Sequence, residues 1–172
     1  FDVVNEVIND SAAYTDGLRR SEWYRILGEE YIGLAFEYAD EAFNDEYAAS
    51  TADRPVKLFI NDYNTEQSGK RGRYLALVGR LLDADVPIDG IGHQFHVSLA
   101  TPIADLEAAL DDASEYGLLQ AVTEFDVTTG HPGVGGEVHR SGLLLPRRLR
   151  RVPLSRRRDV LHHRLGPDGW SL

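Results

Sequence analysis

The chain has no cysteine, which excludes disulfides, thiolate metal sites and a cysteine nucleophile and leaves its redox compartment open. It has no run of about 18 apolar residues, the length a helix needs to cross a bilayer, so no membrane association is expected. No strand-like stretch is followed by a glycine-rich loop that would cradle a phosphate, which sets aside a nucleotide site. Basic residues are scarce over most of the length: residues 1–130 hold 9 Arg and Lys against 25 Asp and Glu. That acidic surface argues against nucleic acid as a partner. The opening Phe1-Asp-Val-Val-Asn-Glu6 lacks the basic lead and apolar run of a signal peptide. It reads as the middle of a strand, so a truncated N-terminus is expected.

What is present is enough for one core. The chain has 172 residues, 42% of them hydrophobic, which fits one domain or a piece of a larger one. Phe1 to Glu6 alternates weakly, and a polar loop follows from Asn9 to Gly17. From Ser21 to Phe43, Trp23, Ile26, Leu27, Leu34, Ala35, Tyr38 and Ala42 recur at three- and four-residue spacing, predicting a helix with Ser21 as its N-cap. Val56 to Asn64 is a compact apolar run closed by polar residues, a buried strand feeding a loop. A second helix fits Tyr74 to Ala84. Ile88 to Val97 reads as a strand whose Gly90 and Gly92 allow close backbone approach. Thr101-Pro102 starts a third helix, with Thr as N-cap and Pro at the first helical position, and Gly117 ends it. Ala121 to Val127 is then a short buried strand whose Glu124 and Asp126 share one alternating face. Strand and helix alternate throughout, which implies an α/β fold with parallel strands and crossover helices.

The polar residues stand at the C-terminal ends of the strands. If the sheet curls into a barrel, Asn5 and Glu6, Asn61 to Asn64, Gln94 and His96, and Glu124 with Asp126 gather on the face where such barrels keep their active sites. Two glutamates among amides and a histidine are the equipment of a retaining glycosidase. One carboxyl protonates the leaving oxygen and the other attacks the anomeric carbon, at a separation of about 5 to 5.5 Å. Glu6 would be the acid, kept protonated by nearby negative charge, and Glu124 the nucleophile, kept ionised by hydrogen bonds. His96 would donate to Glu124 and be oriented by Asp126. The plainer alternatives are a salt-bridged strand end for Glu124 and a core histidine bonded to a backbone carbonyl for His96. His93 and His96 invite a metal, but no third ligand is spaced to join them. Neither metal nor cofactor is expected.

These four stretches together resemble consecutive strand ends of glycoside hydrolase family 10, the endo-β-1,4-xylanases. Phe1-Asp-Val-Val-Asn-Glu6 is similar to the family's fourth strand, Leu58-Phe-Ile-Asn-Asp-Tyr-Asn64 to its fifth, Gly90-Ile-Gly-His-Gln-Phe-His96 to its sixth and Val122-Thr-Glu-Phe-Asp126 to its seventh. The resemblance implies a partial (β/α)8 TIM barrel, about strands 4 to 7, over residues 1–130. It implies Glu6 as acid/base and Glu124 as nucleophile, and Asn5 on the sugar 2-hydroxyl. Tyr63, Gln94 and His96 would line the site, and Asp126 with Asn61 would support it. The implied partner is xylan or a xylo-oligosaccharide, and the implied location is extracellular. Because the family's first three strands have no counterpart here, the isolated chain is expected to be inactive.

After Gly130 the character changes: residues 131–172 carry 9 Arg against 3 acids, plus 6 against the minus 16 of residues 1–130. A disordered basic tail or a nucleic-acid patch are the ordinary readings. A third is a single-base frameshift near Gly130. Advancing the frame by one base allows residues 161–172 to be reread through Trp-Gly-Leu-Thr-Asp-Gly, similar to the family's eighth strand. The tail is therefore expected to be out of frame, irregular and disordered. Two rival functions stay open, a retaining β-1,4-glucanase of a related barrel family and a non-catalytic polypeptide with a basic binding tail.

Overall fold

A computed structural model describes residues 1–48 and 54–129. Its four strands are β1 (Asp2–Asn5), β2 (Phe59–Tyr63), β3 (Gly90–Ser98) and β4 (Leu119–Thr128). They form one sheet in sequence order, every neighbouring pair parallel. Parallel neighbours need long crossovers, and helices supply them. Helices α1 (Glu22–Leu27) and α2 (Glu30–Asp40) join β1 to β2, with α2 running into a π-helical turn at Glu41–Glu46. Helix α3 (Ser68–Asp83) joins β2 to β3, and α4 (Ile103–Ser114) joins β3 to β4. The tail expected from residue 131 onward lies outside the described residues.

The core lies between the helices and one face of the sheet. Ile60 and Ile91 on neighbouring strands pack with Ile32 and Phe36 of α2 and with Tyr74, Leu77 and Val78 of α3. Removing these side chains from water is the main driving force for the fold. The Tyr74 hydroxyl is within hydrogen-bond reach of the Ile60 carbonyl at 2.8 Å and the Gly92 carbonyl at 3.1 Å, so a fully buried polar group has partners on two strands. A smaller cluster sets Phe95 and Val97 of β3 against Ala109 of α4. On the other face the glycines of β3 make room: a Cβ at Gly90 would meet the Phe59 ring at 2.2 Å, and one at Gly92 the Asn61 Oδ1 at 2.4 Å. The close approach expected of both glycines is what the fold uses.

Several sequence expectations need correction. The single helix from Ser21 is two, because Gly28, at φ 65°, ends α1 in a left-handed turn. Ser21 does cap it, accepting from the Tyr24 N–H at 3.2 Å. The expected apolar stripe is out of phase: Trp23 and Ile26 are 65% and 75% exposed, while Ile32 and Phe36 carry the buried face. The break restarts the helical phase, which a stripe run through Gly28 cannot register. Helix α3 begins at Ser68, six residues before Tyr74, on a polar first turn with no apolar period to announce it. Helix α4 begins one residue later than expected: Pro102 takes the N-cap place, and the Thr101 hydroxyl accepts from the Ser98 N–H at 3.0 Å instead. The strand around Glu124 is present but not buried. It is the edge of the described sheet, and Phe125 is 40% exposed.

Candidate active site

Alternation along each strand sends every second side chain away from the helices, to the other face of the sheet. Asn5 at the end of β1 is the meeting point. Its Oδ1 accepts from Asn61 Nδ2 of β2 at 3.1 Å and from Gln94 Nε2 of β3 at 2.8 Å. Asn61 Oδ1 in turn accepts from the Thr123 hydroxyl of β4 at 2.8 Å. One polar chain thus crosses all four strands.

Thr123 and Glu124 are adjacent in sequence yet both reach this face. The register between β3 and β4 shifts at His93/Gln94, where Val122 pairs with His93 and Glu124 with Gln94, leaving Thr123 as an extra residue. Such a bulge re-aims a side chain that strict alternation would send to the other side. Glu124 Oε2 lies 3.3 Å from His96 Nε2, and Asp126 holds the other ring nitrogen through a hydrogen bond. The three side chains are exposed along the edge of the described sheet. The hydrogen bond to Asp126 holds His96 above its usual value, aided by the charges of Glu124 and Glu6.

Glu6 follows β1 with φ 57°, a left-handed conformation that costs a non-glycine residue about 1–3 kcal/mol. Its N–H donates to the Asn61 carbonyl at 2.8 Å, and its carboxylate receives Arg19 Nη1 at 3.2 Å. The negative charge expected beside Glu6 is replaced by this guanidinium. Arg19 also donates to the Tyr63 hydroxyl at 2.8 Å, and Tyr63 donates to Asp10 at 2.6 Å. Burial and the bond to Asp10 push the Tyr63 hydroxyl up to about 12. Beneath it, buried Lys70 bridges Asp10 at 2.8 Å and fully buried Asp62 at 2.9 Å, with its ammonium 3.3 Å from the centre of the Tyr63 ring. Burial pushes Asp62 up, against the pull of Lys70. Asp62 also accepts from the Ile8 N–H at 2.9 Å, tying the loop after Glu6 to β2.

The structure brings all eight expected site residues, Glu6, Glu124, Asn5, Tyr63, Gln94, His96, Asp126 and Asn61, to the C-terminal side of one sheet. His93 is not among them, because it faces the helices. It stacks on Phe95 and meets the Thr65 hydroxyl at 2.8 Å through Nδ1. Among the described residues no group of three or more His, Asp or Glu could hold a metal ion. Sequence reasoning missed Arg19, Asp10, Lys70 and Thr123. Arg19 and Asp10 lie in a loop without a period. A lysine at the third position of a helix reads as solvated, and Thr123 reads as a strand residue of either face until the bulge is known.

The sequence profile of Glycosyl hydrolase family 10 matches residues 1–142, a span that takes in all four strands. Endo-1,4-beta-xylanase A of Halalkalibacterium halodurans is 44% identical over 137 residues, which are 78% of this chain and 31% of that protein. Exoglucanase XynX of Acetivibrio thermocellus is 38% identical over 150 residues, 87% of this chain and 11% of its own length. Among solved structures, TsXylA, the intracellular xylanase from Thermoanaerobacterium saccharolyticum JW/SL-YS485, matches with TM-score 0.71 and 37% identity over 84% of this chain and 40% of its own. Two glutamate-to-alanine variants of TsXylA, solved with xylotriose and with xylotetraose, match with TM-score 0.71 as well. Since TsXylA is intracellular, likeness to it lends no support to the expected extracellular location. This chain spans less than half the length of these relatives. Its four parallel strands with their helices are part of a (β/α)8 barrel, and the chain belongs to glycosyl hydrolase family 10.

Proposed function

We propose that this chain carries the catalytic pair of a retaining endo-β-1,4-xylanase. Glu124 attacks the anomeric carbon while Glu6 protonates the departing glycosidic oxygen. Glu6 then takes a proton from the water that hydrolyses the glycosyl-enzyme. His96 bonds to the nucleophile's Oε2 and is oriented by Asp126. Asn5 binds the sugar 2-hydroxyl, Asn61 and Gln94 orient Asn5, and Tyr63 lines the site. The observation that carries this reading is a single histidine joined at once to Glu124 and Asp126, at the same end of the sheet as Glu6, whose N–H donates to the Asn61 carbonyl. Relatives named xylanases and the two TsXylA complexes with xylo-oligosaccharides support it.

The isolated chain hydrolyses little or nothing, because the four strands among the described residues make up only part of a (β/α)8 barrel. The test is therefore a chimera in which residues 1–129 replace the matching segment of TsXylA. Hydrolysis of an aryl β-xylobioside should fall by about 10⁴-fold or more in Glu124→Ala. A folded chimera whose activity ignores that substitution would sink the assignment. A second reading, a β-1,4-glucanase, draws on the name of Exoglucanase XynX and on the Thermostable celloxylanase of Thermoclostridium stercorarium, 40% identical over 133 residues. The same chimera assayed on xylan against β-1,4-glucan separates the two. For residues 131–172 we propose the single-base frameshift. The family match reaches residue 142, so the DNA from Gly130 to Gly142 is where to seek it. If no one-base change there yields the Trp-Gly-Leu-Thr-Asp-Gly string, the proposal is wrong.

A further inference from the structure

We infer that Thr123 is a positioning residue whose hydroxyl sets the direction of the amide chain across the sheet, so that Asn5 meets its ligand as a hydrogen-bond donor. The inference rests on the xylan-site reading for its ligand and on geometry alone for the chain of bonds. A threonine hydroxyl has one proton to give and two lone pairs to receive with. Two acceptors lie within reach of Thr123, Asn61 Oδ1 at 2.8 Å and the His93 carbonyl at 3.3 Å. The nearer takes the proton. Asn61 must then present its oxygen to Thr123 and its nitrogen to Asn5, as it does at 3.1 Å. Asn5 Oδ1 receives that bond and a second from Gln94 at 2.8 Å, which uses both of its lone pairs. Only the Asn5 NH₂ is left to face the cleft.

The opposite direction is chemically complete as well. If Thr123 gave its proton to the His93 carbonyl, it would accept from a reversed Asn61, and Asn5 would bond through its nitrogen and show its oxygen. Asn61 and Gln94 are buried, so neither can settle its orientation by turning to water, whereas Asn5 is open to the cleft. The choice is made at the β4 end, by the residue that the bulge adds to this face beside Glu124. A ligand hydroxyl that accepts from Asn5 keeps its own proton for another acceptor. The chain thereby selects a hydroxyl-bearing ligand by which of its atoms must accept.

Hydrogen exchange of side-chain amides in the full 172-residue chain, followed by NMR without substrate, tests this. In the unaltered chain the Asn61 and Gln94 NH₂ protons should exchange roughly tenfold more slowly than those of Asn5. Thr123→Val keeps the β-branched shape without the hydroxyl and should erase the difference between Asn61 and Asn5. Thr123→Ser should restore it. Protected Asn5 protons in the unaltered chain would overturn the inference, as would a Val variant that exchanges like the unaltered chain or a Ser variant that exchanges like Val. Should the Val variant not fold, the unaltered chain and the Ser variant still decide. No hydrolysis enters this measurement. An inactive chimera with the expected protection would therefore sink the xylanase reading and leave the role of Thr123 standing.

Discussion

His93 and His96 lie three residues apart on β3 and occupy opposite worlds. His93 faces α3, stacked on Phe95 with Tyr74 at its edge, and burial lowers its pKa to about 4. His96 faces the cleft, held by Asp126 and Glu124, and is shifted the other way. The same division runs through β2, where Asn61 joins the polar chain of the cleft and Asp62 pairs with buried Lys70 behind it. An odd spacing on a strand separates two like residues by the thickness of the sheet. One face carries stability and the other the proposed chemistry, and substitutions should sort accordingly.

The largest effect is expected behind the sheet. Lys70→Ala leaves Asp62 as an uncompensated buried charge and should lower stability by about 3–5 kcal/mol in urea denaturation. A loss below about 1 kcal/mol would mean that Asp62 is hydrated and the division of faces overdrawn. Next comes the acid limb of stability. Unfolded His93 takes up a proton near pH 6.5, whereas in the fold it resists until about 4. Its contribution is complete above pH 6.5 and is lost as pH falls from 6.5 to 4, by about 3 kcal/mol in all. His93→Leu should flatten that window, and an unchanged slope would assign the acid limb to other groups.

Gly92→Ala tests the boundary between the faces. Its Cβ would meet Asn61 Oδ1 at 2.4 Å, so a loss of about 1–3 kcal/mol is expected, with disturbed Asn5 and Asn61 amide signals. The smallest change in stability should come from His96→Gln, within about 0.5 kcal/mol at pH 8. Because Asp126 raises His96 above 6.5, the stability it adds is present below that pH and is lost as pH rises through the raised value. Comparing unfolding of the unaltered chain and the Gln variant between pH 5 and 9 should show this opposite sign. Two histidine variants with the same pH slope would break the comparison.

Much of the fold was legible because parallel strands and their crossover helices repeat a pattern that periodicity detects. The polar strand ends pointed to one face, where Asn5 bonds Asn61 and Gln94 and His96 joins Glu124 and Asp126, but Asp62, expected among them, pairs with Lys70 behind the sheet. The helix after Ser21 was misphased because a left-handed turn at Gly28 resets the period, and no stripe crosses such a break. Glu6 was expected beside negative charge because Arg19 lies thirteen residues away, across a loop without periodicity. Lys70 reads as a surface residue of α3 until Asp62 and Asp10 are placed around it.

The sequence by itself determined the order of strands and helices, the glycines that permit close approach and the residues at the strand ends, since these follow from local sterics and from alternation of period two or 3.6. Tertiary structure decided which charge meets which. Arg19 on Glu6, Lys70 between two aspartates and Thr123 turned inward by a bulge depend on distances between segments far apart in the chain. Electrostatics and hydrogen bonds act through those distances, and a linear pattern does not contain them.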